Sequence, residues 1–189
     1  MSNPYFSIAF TPSVQSEQSA QGSRRAYANA ALRERDNARL GQQEAEFIAA
    51  RDGFYLATVN EDGWPYIQFR GGLPGFVKVL DKNQLAFADF RGNRQYVSAG
   101  NIAAQTRTSL FFMDYANQQR LKVFAEAKTI ALAEAGDLVS LLDNGDHSAP
   151  VERIVMFTVK AFDWNCPQHI TPRYTLQELS RVIGSRADG

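Results

Sequence analysis

Leu85-Ala-Phe-Ala-Asp-Phe-Arg-Gly-Asn-Arg-Gln-Tyr-Val-Ser-Ala-Gly-Asn101 is the stretch on which the fold turns. Its first half is apolar and alternating, as a strand requires. Arg91-Gly-Asn-Arg94 then reads as a turn, and the small residues that follow suit a helix. Two arginines and an asparagine therefore sit where a strand ends and a helix begins. The free N–H groups of a helix start, at its positive dipole end, attract anions. Arg91 or Arg94 adds the geometry for bidentate hydrogen bonds to a phosphate. The junction is a candidate phosphate seat; the plainer alternative is a basic turn on a solvated surface.

Outward from this junction the chain reads as β. Strands are predicted over 54–59, 64–69, 76–80, 85–90, 109–114, 121–131 and 154–164. Asn60-Glu-Asp-Gly63, Asp81-Lys-Asn83 and Ala116-Asn117 supply turns between them. Short helices are predicted over 133–142 and from the capping box Thr175-Leu-Gln-Glu178 onward. Alanine, glutamate and arginine favour helix over 26–51, where Leu40, Phe47 and Ile48 share a face. Residues 1–25 read as a loosely ordered segment, because 11–23 is rich in Ser, Gln and Gly. Tyr5, Phe6 and Phe10 are the residues by which that segment would dock on the domain or a partner subunit. Closely spaced strands with few helices favour a small antiparallel barrel, with 26–189 as one domain. Gly71-Gly-Leu-Pro-Gly75 is not followed by the helix that a dinucleotide loop needs.

Composition bounds the function. The chain has 189 residues, 44% hydrophobic and 21% charged, with Lys+Arg and Asp+Glu equal at 20 each. Such balance gives no global attraction to nucleic acid or to anionic membrane. One cysteine excludes an intramolecular disulfide and a multi-cysteine metal site. No apolar run approaches a membrane span, and the start lacks a signal-peptide pattern, so a cytoplasmic setting is expected.

The order of strand, Phe87-Ala-Asp-Phe-Arg-Gly-Asn-Arg-Gln95, helix, then Arg107-Thr-Ser-Leu-Phe-Phe-Met-Asp114 resembles the pyridoxamine 5'-phosphate oxidase-like family of FMN-binding split barrels. Trp64–Gly72, Gln119–Ala127 and Phe162–His169 carry the likeness further, over roughly residues 44–173. The resemblance implies a mainly β (α+β) fold, a six-stranded antiparallel split β-barrel with flanking short helices. It implies FMN at the interface of a homodimer, and a small molecule or electron donor as substrate. The family's phosphate-binding arginine falls on Arg94, flanked by Asn93 and Gln95. Gln68 stands where the oxidases carry an arginine. Arg70, on the same strand face, supplies the charge that Gln68 lacks. Ala88 and Asp89 fall where the family's strand end approaches flavin, and Asp89 is an unusual neighbour for a phosphate. Arg120 and Lys122 are candidate cations for the flavin edge, contributed across the dimer, against the reading of a surface strip. Trp164 is a flavin-edge candidate and Arg173 a weaker one.

Cys166 and His169 suggest a thiolate–imidazole pair or two metal ligands, but no third ligand accompanies them, and a buried inert thiol is the stronger reading. His147 reads as an exposed loop histidine. The late Arg-x-His motif of true pyridoxamine phosphate oxidases is absent, so FMN binding is expected to carry over better than that oxidation. No residue identifies itself as a general acid or base. An oxidoreductase and a non-enzymatic carrier of FMN, deazaflavin or haem are the two readings open at this point.

Overall fold

A computed structural model describes residues 3–32, 36–143, 145, 149–164 and 166–187. In chain order the helices are α1 (Pro4–Ala9), α2 (Pro12–Ala20), α3 (Arg24–Ala31), α4 (Gln42–Ala49), α5 (Val97–Ala104), α6 (Leu132–Ala135), α7 (Leu138–Leu142) and α8 (Leu176–Ala187). The strands are β1 (Gly53–Val59), β2 (Pro65–Gly71), β3 (Lys78–Asp81), β4 (Gln84–Phe90), β5 (Arg107–Asp114), β6 (Gln119–Ala131) and β7 (Val151–Trp164). The seven strands form one antiparallel sheet in the order β2-β1-β5-β6-β7-β4-β3. Expected and observed architecture agree as an antiparallel split barrel with flanking helices; the strands number seven, as do the segments read from the residues, where the resemblance implied six.

Alternation builds the core. Phe54 and Leu56 of β1, Leu110 and Phe112 of β5, Leu121 and Val123 of β6, and Val155 and Phe157 of β7 all point inward. Ile102 of α5 and Phe47 and Ile48 of α4 close this core. β4 is buried on both faces. Leu85 and Phe87 enter the main core, while Ala86 and Ala88 face a second cluster with Ala135, Leu142 and Ile154 under α6 and α7. That is why β4 is apolar almost throughout rather than half polar.

Two irregularities in β7 shape the barrel. Lys160 is extra between the pairs Phe124↔Ala161 and Ala125↔Val159. Glu152 is extra between Asp89↔Arg153 and Phe90↔Val151. Each bulge bends the strand and re-aims its neighbours.

The helical expectations are partly revised. The predicted 26–51 helix is broken: α3 ends at Ala31 and α4 starts at Gln42. Between them the Leu40 N–H donates to the Lys82 carbonyl at 2.7 Å, and Asn37 Nδ2 donates to the Phe162 carbonyl at 2.9 Å. Tertiary hydrogen bonds override local propensity there. The N-terminal stretch departs from the loose segment read from its composition. Asn3 and Thr11 cap α1 and α2, each followed by a proline in the first turn. Tyr5 is buried and stacks on Phe124 with centroids 5.1 Å apart. The capping box at Thr175 and Glu178 is formed: the Glu178 N–H donates to Thr175 Oγ1, and the Thr175 N–H to Glu178 Oε2.

Phe157 is fully buried, 6.1 Å from the Phe87 ring and 6.4 Å from the Phe54 ring between centroids. Phe157→Ala is expected to lower stability by about 3–5 kcal/mol, read from the urea midpoint at unchanged slope. A loss below about 1 kcal/mol would contradict this account of the core.

Candidate functional site

The sheet does not close on itself: β2 is one edge and β3, beside β4, the other. A pocket of about 180 Å³ lies across this opening. Tyr66, Gln68 and Arg70 of β2 line one side, and Asp89 at the end of β4 the other. The turn 92–96, the first turn of α5 and the bulged Glu152 complete it. Alternation along β2 sends Tyr66, Gln68 and Arg70 to the pocket, while Ile67 and Phe69 are exposed on the outer face.

α5 is held from below and open at its start. Ser98 Oγ donates to Gln68 Oε1 at 3.0 Å, and Asn101 Nδ2 to Thr58 Oγ1 at 2.9 Å. Ser98, Asn101 and Thr58 are all buried. The residue before the helix, Tyr96, adopts left-handed backbone (φ 55°) and gives no side-chain cap. Arg94 is also left-handed, at φ 63°. Non-glycine residues rarely take this conformation, and it clusters at ligand sites. The uncapped first turn leaves N–H donors for an anion.

The charges form one network. Arg70 Nη1 donates to Asp89 Oδ1 at 2.9 Å, and Arg153 Nε lies 3.5 Å from Asp89 Oδ2. Glu152 accepts from Arg91 Nε at 3.0 Å, from Arg153 Nη2 at 3.1 Å and from the Tyr96 hydroxyl at 3.2 Å. The Arg153 guanidinium also sits 4.8 Å above the Tyr96 ring. The hydrogen bond from Arg91, more than those from Arg153 and Tyr96, holds the Glu152 carboxyl below its ordinary range. Arg94 is fully exposed, and its hydrogen-bonding contact with Tyr96, aided by Glu152, holds its pKa above the ordinary value.

Four guanidiniums, of Arg70, Arg91, Arg94 and Arg153, thus meet two carboxylates, of Asp89 and Glu152. Arg70 Nε and Arg153 Nε are buried N–H groups with no hydrogen-bond acceptor. Surplus positive charge with unmet donors suits a further anion, and a phosphomonoester carries about the matching charge. Two of the larger cavities differ, and a third, of 390 Å³, has Arg51 and Arg173 in its lining, with Arg51 paired to Asp114 at 2.7 Å. One of 360 Å³ under α7 has no lysine or arginine in its lining. One of 550 Å³ on the outer sheet face is mostly apolar; Arg107 and Lys160 line it, and Lys160 is paired with Glu126 at 2.8 Å.

Of the expected site residues, Gln68, Arg70, Asp89, Asn93, Arg94 and Gln95 come together in this pocket. The others lie elsewhere in the protomer. Ala88 turns to the opposite face of β4, into the second apolar cluster. Arg120 Nη2 donates to the Cys166 carbonyl at 3.0 Å. Lys122 pairs with Asp163 at 3.6 Å and lies 4.9 Å over the Tyr5 ring. Trp164 Nε1 donates to Glu44 Oε1 at 2.7 Å, and its ring meets Phe47 edge-on. Cys166, expected as a buried thiol, is exposed. His147 lies outside the described residues. Among the described residues no three His, Cys, Asp or Glu side chains gather as a metal site, and no helix is long and apolar enough to cross a membrane.

Sequence reading missed Glu152, Arg153, Tyr96 and Ser98. The one local signal was the pair Glu152-Arg153 at the start of an otherwise apolar strand. Its bearing on Asp89 depends on a bulge that no local pattern announces.

A family model described as pyridoxamine 5'-phosphate oxidase matches residues 40–156, more than half of the chain. No curated protein matches the sequence. Among solved structures, a candidate pyridoxamine 5'-phosphate oxidase from Lactobacillus delbrueckii is similar at 19% identity and a TM-score of 0.52, covering 68% of this chain and 96% of that one. HupZ from Group A Streptococcus is similar at 14% identity and 0.52, covering 71% and 99%. An FMN-binding protein from Syntrophomonas wolfei is similar at 15% identity and 0.50, covering 78% and 97%. At these identities the likeness establishes the fold.

Asn101 ties the pocket helix to β1 through a buried hydroxyl. Asn101→Ala leaves Thr58 without that donor and is expected to cost about 1–3 kcal/mol of stability, measured by urea unfolding. An unchanged midpoint would remove this anchor from the account.

Proposed function

The chain belongs to the pyridoxamine 5'-phosphate oxidase family, and from that premise we propose that it is a homodimeric FMN-binding flavoprotein with oxidoreductase activity on a small-molecule electron donor. The observation that carries the reading is the arginine-rich pocket at the split edge, with its uncapped helix start and unmet buried donors. Arg94 is the arginine least committed to a carboxylate, and it is the residue on which the family's phosphate contact falls. In this reading Arg94, Asn93 and Gln95 hold the phosphate from the turn, and Gln68 and Arg70 hold it from β2.

The pocket's size supports a second subunit. At about 180 Å³ it is smaller than the roughly 300–1,000 Å³ of pockets that enclose a whole ligand. It suits the phosphate end, and a flavin ring needs further surface. The outer side of edge strand β2 offers an apolar strip for a second copy: Ile67 and Phe69 are 64% and 57% exposed. Arg120, Lys122 and Trp164 then serve the partner's site rather than their own. A cation there stabilises negative charge at the flavin edge, which is electrostatic tuning rather than proton transfer. FMN, when bound, supplies the electron-accepting chemistry. The protein's part is to bind its phosphate, orient it and exclude water.

Two measurements test this. The purified protein is expected to carry or take up FMN, seen in its visible spectrum and by mass of the released chromophore. Arg94→Ala is expected to weaken FMN binding by about tenfold or more at an unchanged melting temperature. Equal affinity would remove Arg94 from the site. Stopped-flow reduction decides between the two roles: fast, donor-specific reduction supports an oxidoreductase, and slow, indiscriminate reduction supports a carrier.

A further inference from the structure

The carboxylate of Asp89 is out of place in a phosphate pocket. It is buried, it lines the pocket, and it already holds the guanidiniums of Arg70 and Arg153. An incoming phosphate seeks those same two cations. Yet Asp89 does not saturate them: Arg70, paired through Nη1, retains a buried Nε–H without an acceptor, and Arg153 Nε stands 3.5 Å from Asp89 Oδ2 without a hydrogen bond to it. The arrangement is that of a built-in anion occupying part of an anion site. We propose that Asp89 competes with the ligand's phosphate for Arg70 and Arg153, so that its negative charge sets the affinity of the site and makes that affinity depend on pH. This rests on the reading of the pocket as the FMN phosphate site.

The competition follows from charge and distance. When a phosphate reaches Arg70, it stands close to Asp89 Oδ1, which is 2.9 Å from Arg70 Nη1. Like charges that near one another, in a partly buried site, repel more strongly than in water. The surplus cations, Arg94 above all, keep binding favourable despite that repulsion. Removing one negative charge without changing shape is therefore expected to tighten binding by about tenfold.

The pH dependence has a definite sign. The charged groups around Asp89 are Arg70 from β2 and Arg153 and Glu152 from β7. Arg94, Tyr96 and Tyr66 line the same pocket, and Arg91 pairs with Glu152. Burial pushes the Asp89 carboxyl above its ordinary value, against the pull of Arg70 and Arg153, with Glu152 adding to the rise. Glu152 is held the other way, below its ordinary value, by its hydrogen bonds from Arg91, Arg153 and Tyr96. Protonation removes the competing charge: it frees Arg70 and leaves Arg153 paired with Glu152 alone. The intrinsic affinity for a dianion thus rises as pH falls through the titration of Asp89.

The test compares FMN affinity, by flavin fluorescence, in the wild-type protein and in Asp89→Asn. At mildly alkaline pH the variant is expected to bind FMN about tenfold more tightly, and the ratio is expected to shrink toward one as the pH is lowered. The phosphate's own second ionisation, near pH 6, affects both proteins alike and cancels in the ratio. Riboflavin, which has no phosphate, is expected to bind both equally. A second series needs no variant: sulfate remains a dianion throughout, and its own affinity for the wild-type protein, read directly by isothermal titration calorimetry without FMN, is expected to rise as pH falls. Equal or weaker FMN binding by a folded Asp89→Asn protein overturns the inference and leaves the FMN reading standing. A flat sulfate series does the same even where the variant fails to fold. No binding of FMN or sulfate by either protein overturns both.

Discussion

The ion pair of Arg70 with Asp89 bridges a gap that backbone hydrogen bonding leaves open. β2 and β4 are not sheet neighbours, because the strand order puts β2 at one edge and β4 beside the other. No ladder joins them. What spans the split is a guanidinium from one side and a carboxylate from the other, 2.9 Å apart, with Arg153 of β7 as a second cation. A buried pair of this kind gains little net stability, since desolvation offsets most of the attraction. Its effect is on geometry: it sets where the two edges stand and so how wide the pocket between them is.

The surrounding structure serves that junction. β4 is covered on both faces, by the barrel core and by α6–α7, so its last residues emerge from a rigid strand. The bulge at Glu152 brings two successive charged residues of β7 to the same corner, which strict alternation would forbid. The left-handed backbone of Arg94 and Tyr96 folds the turn back so that Tyr96 meets both Glu152 and Arg153. Strain at these two residues is balanced by the hydrogen bond and the cation–π contact that Tyr96 itself makes.

Much of the fold could be read from local pattern. The alternation of Phe54, Leu56, Leu110, Phe112, Leu121 and Val123 marks strands with one buried face, and each of these side chains is in the core. The Thr175–Glu178 box marks the start of a helix, and the helix is there. The breaks in expectation have physical causes. Leu40 and Asn37 spend their backbone and side-chain hydrogen bonds on partners distant in sequence, which splits the predicted helix. Propensity over 26–51 carries no information about those partners. For the site, six expected residues share one pocket, while Ala88 turns away because it alternates with Asp89 on a strand buried on both sides.

Sequence alone determined the strand-turn-helix junction, the antiparallel barrel and the cations at its mouth. These rest on side-chain periodicity and turn chemistry, which act over a few neighbouring residues. Tertiary structure decided which charges meet. Asp89 and Arg153 are adjacent only through the register of β4 with β7, and Arg70 joins them only because the sheet curls without closing. A one-residue change of register would move every side chain of a strand to its other face. The pairing of ions across the split is therefore a property of the assembled barrel and of its bulges, not of any segment within it.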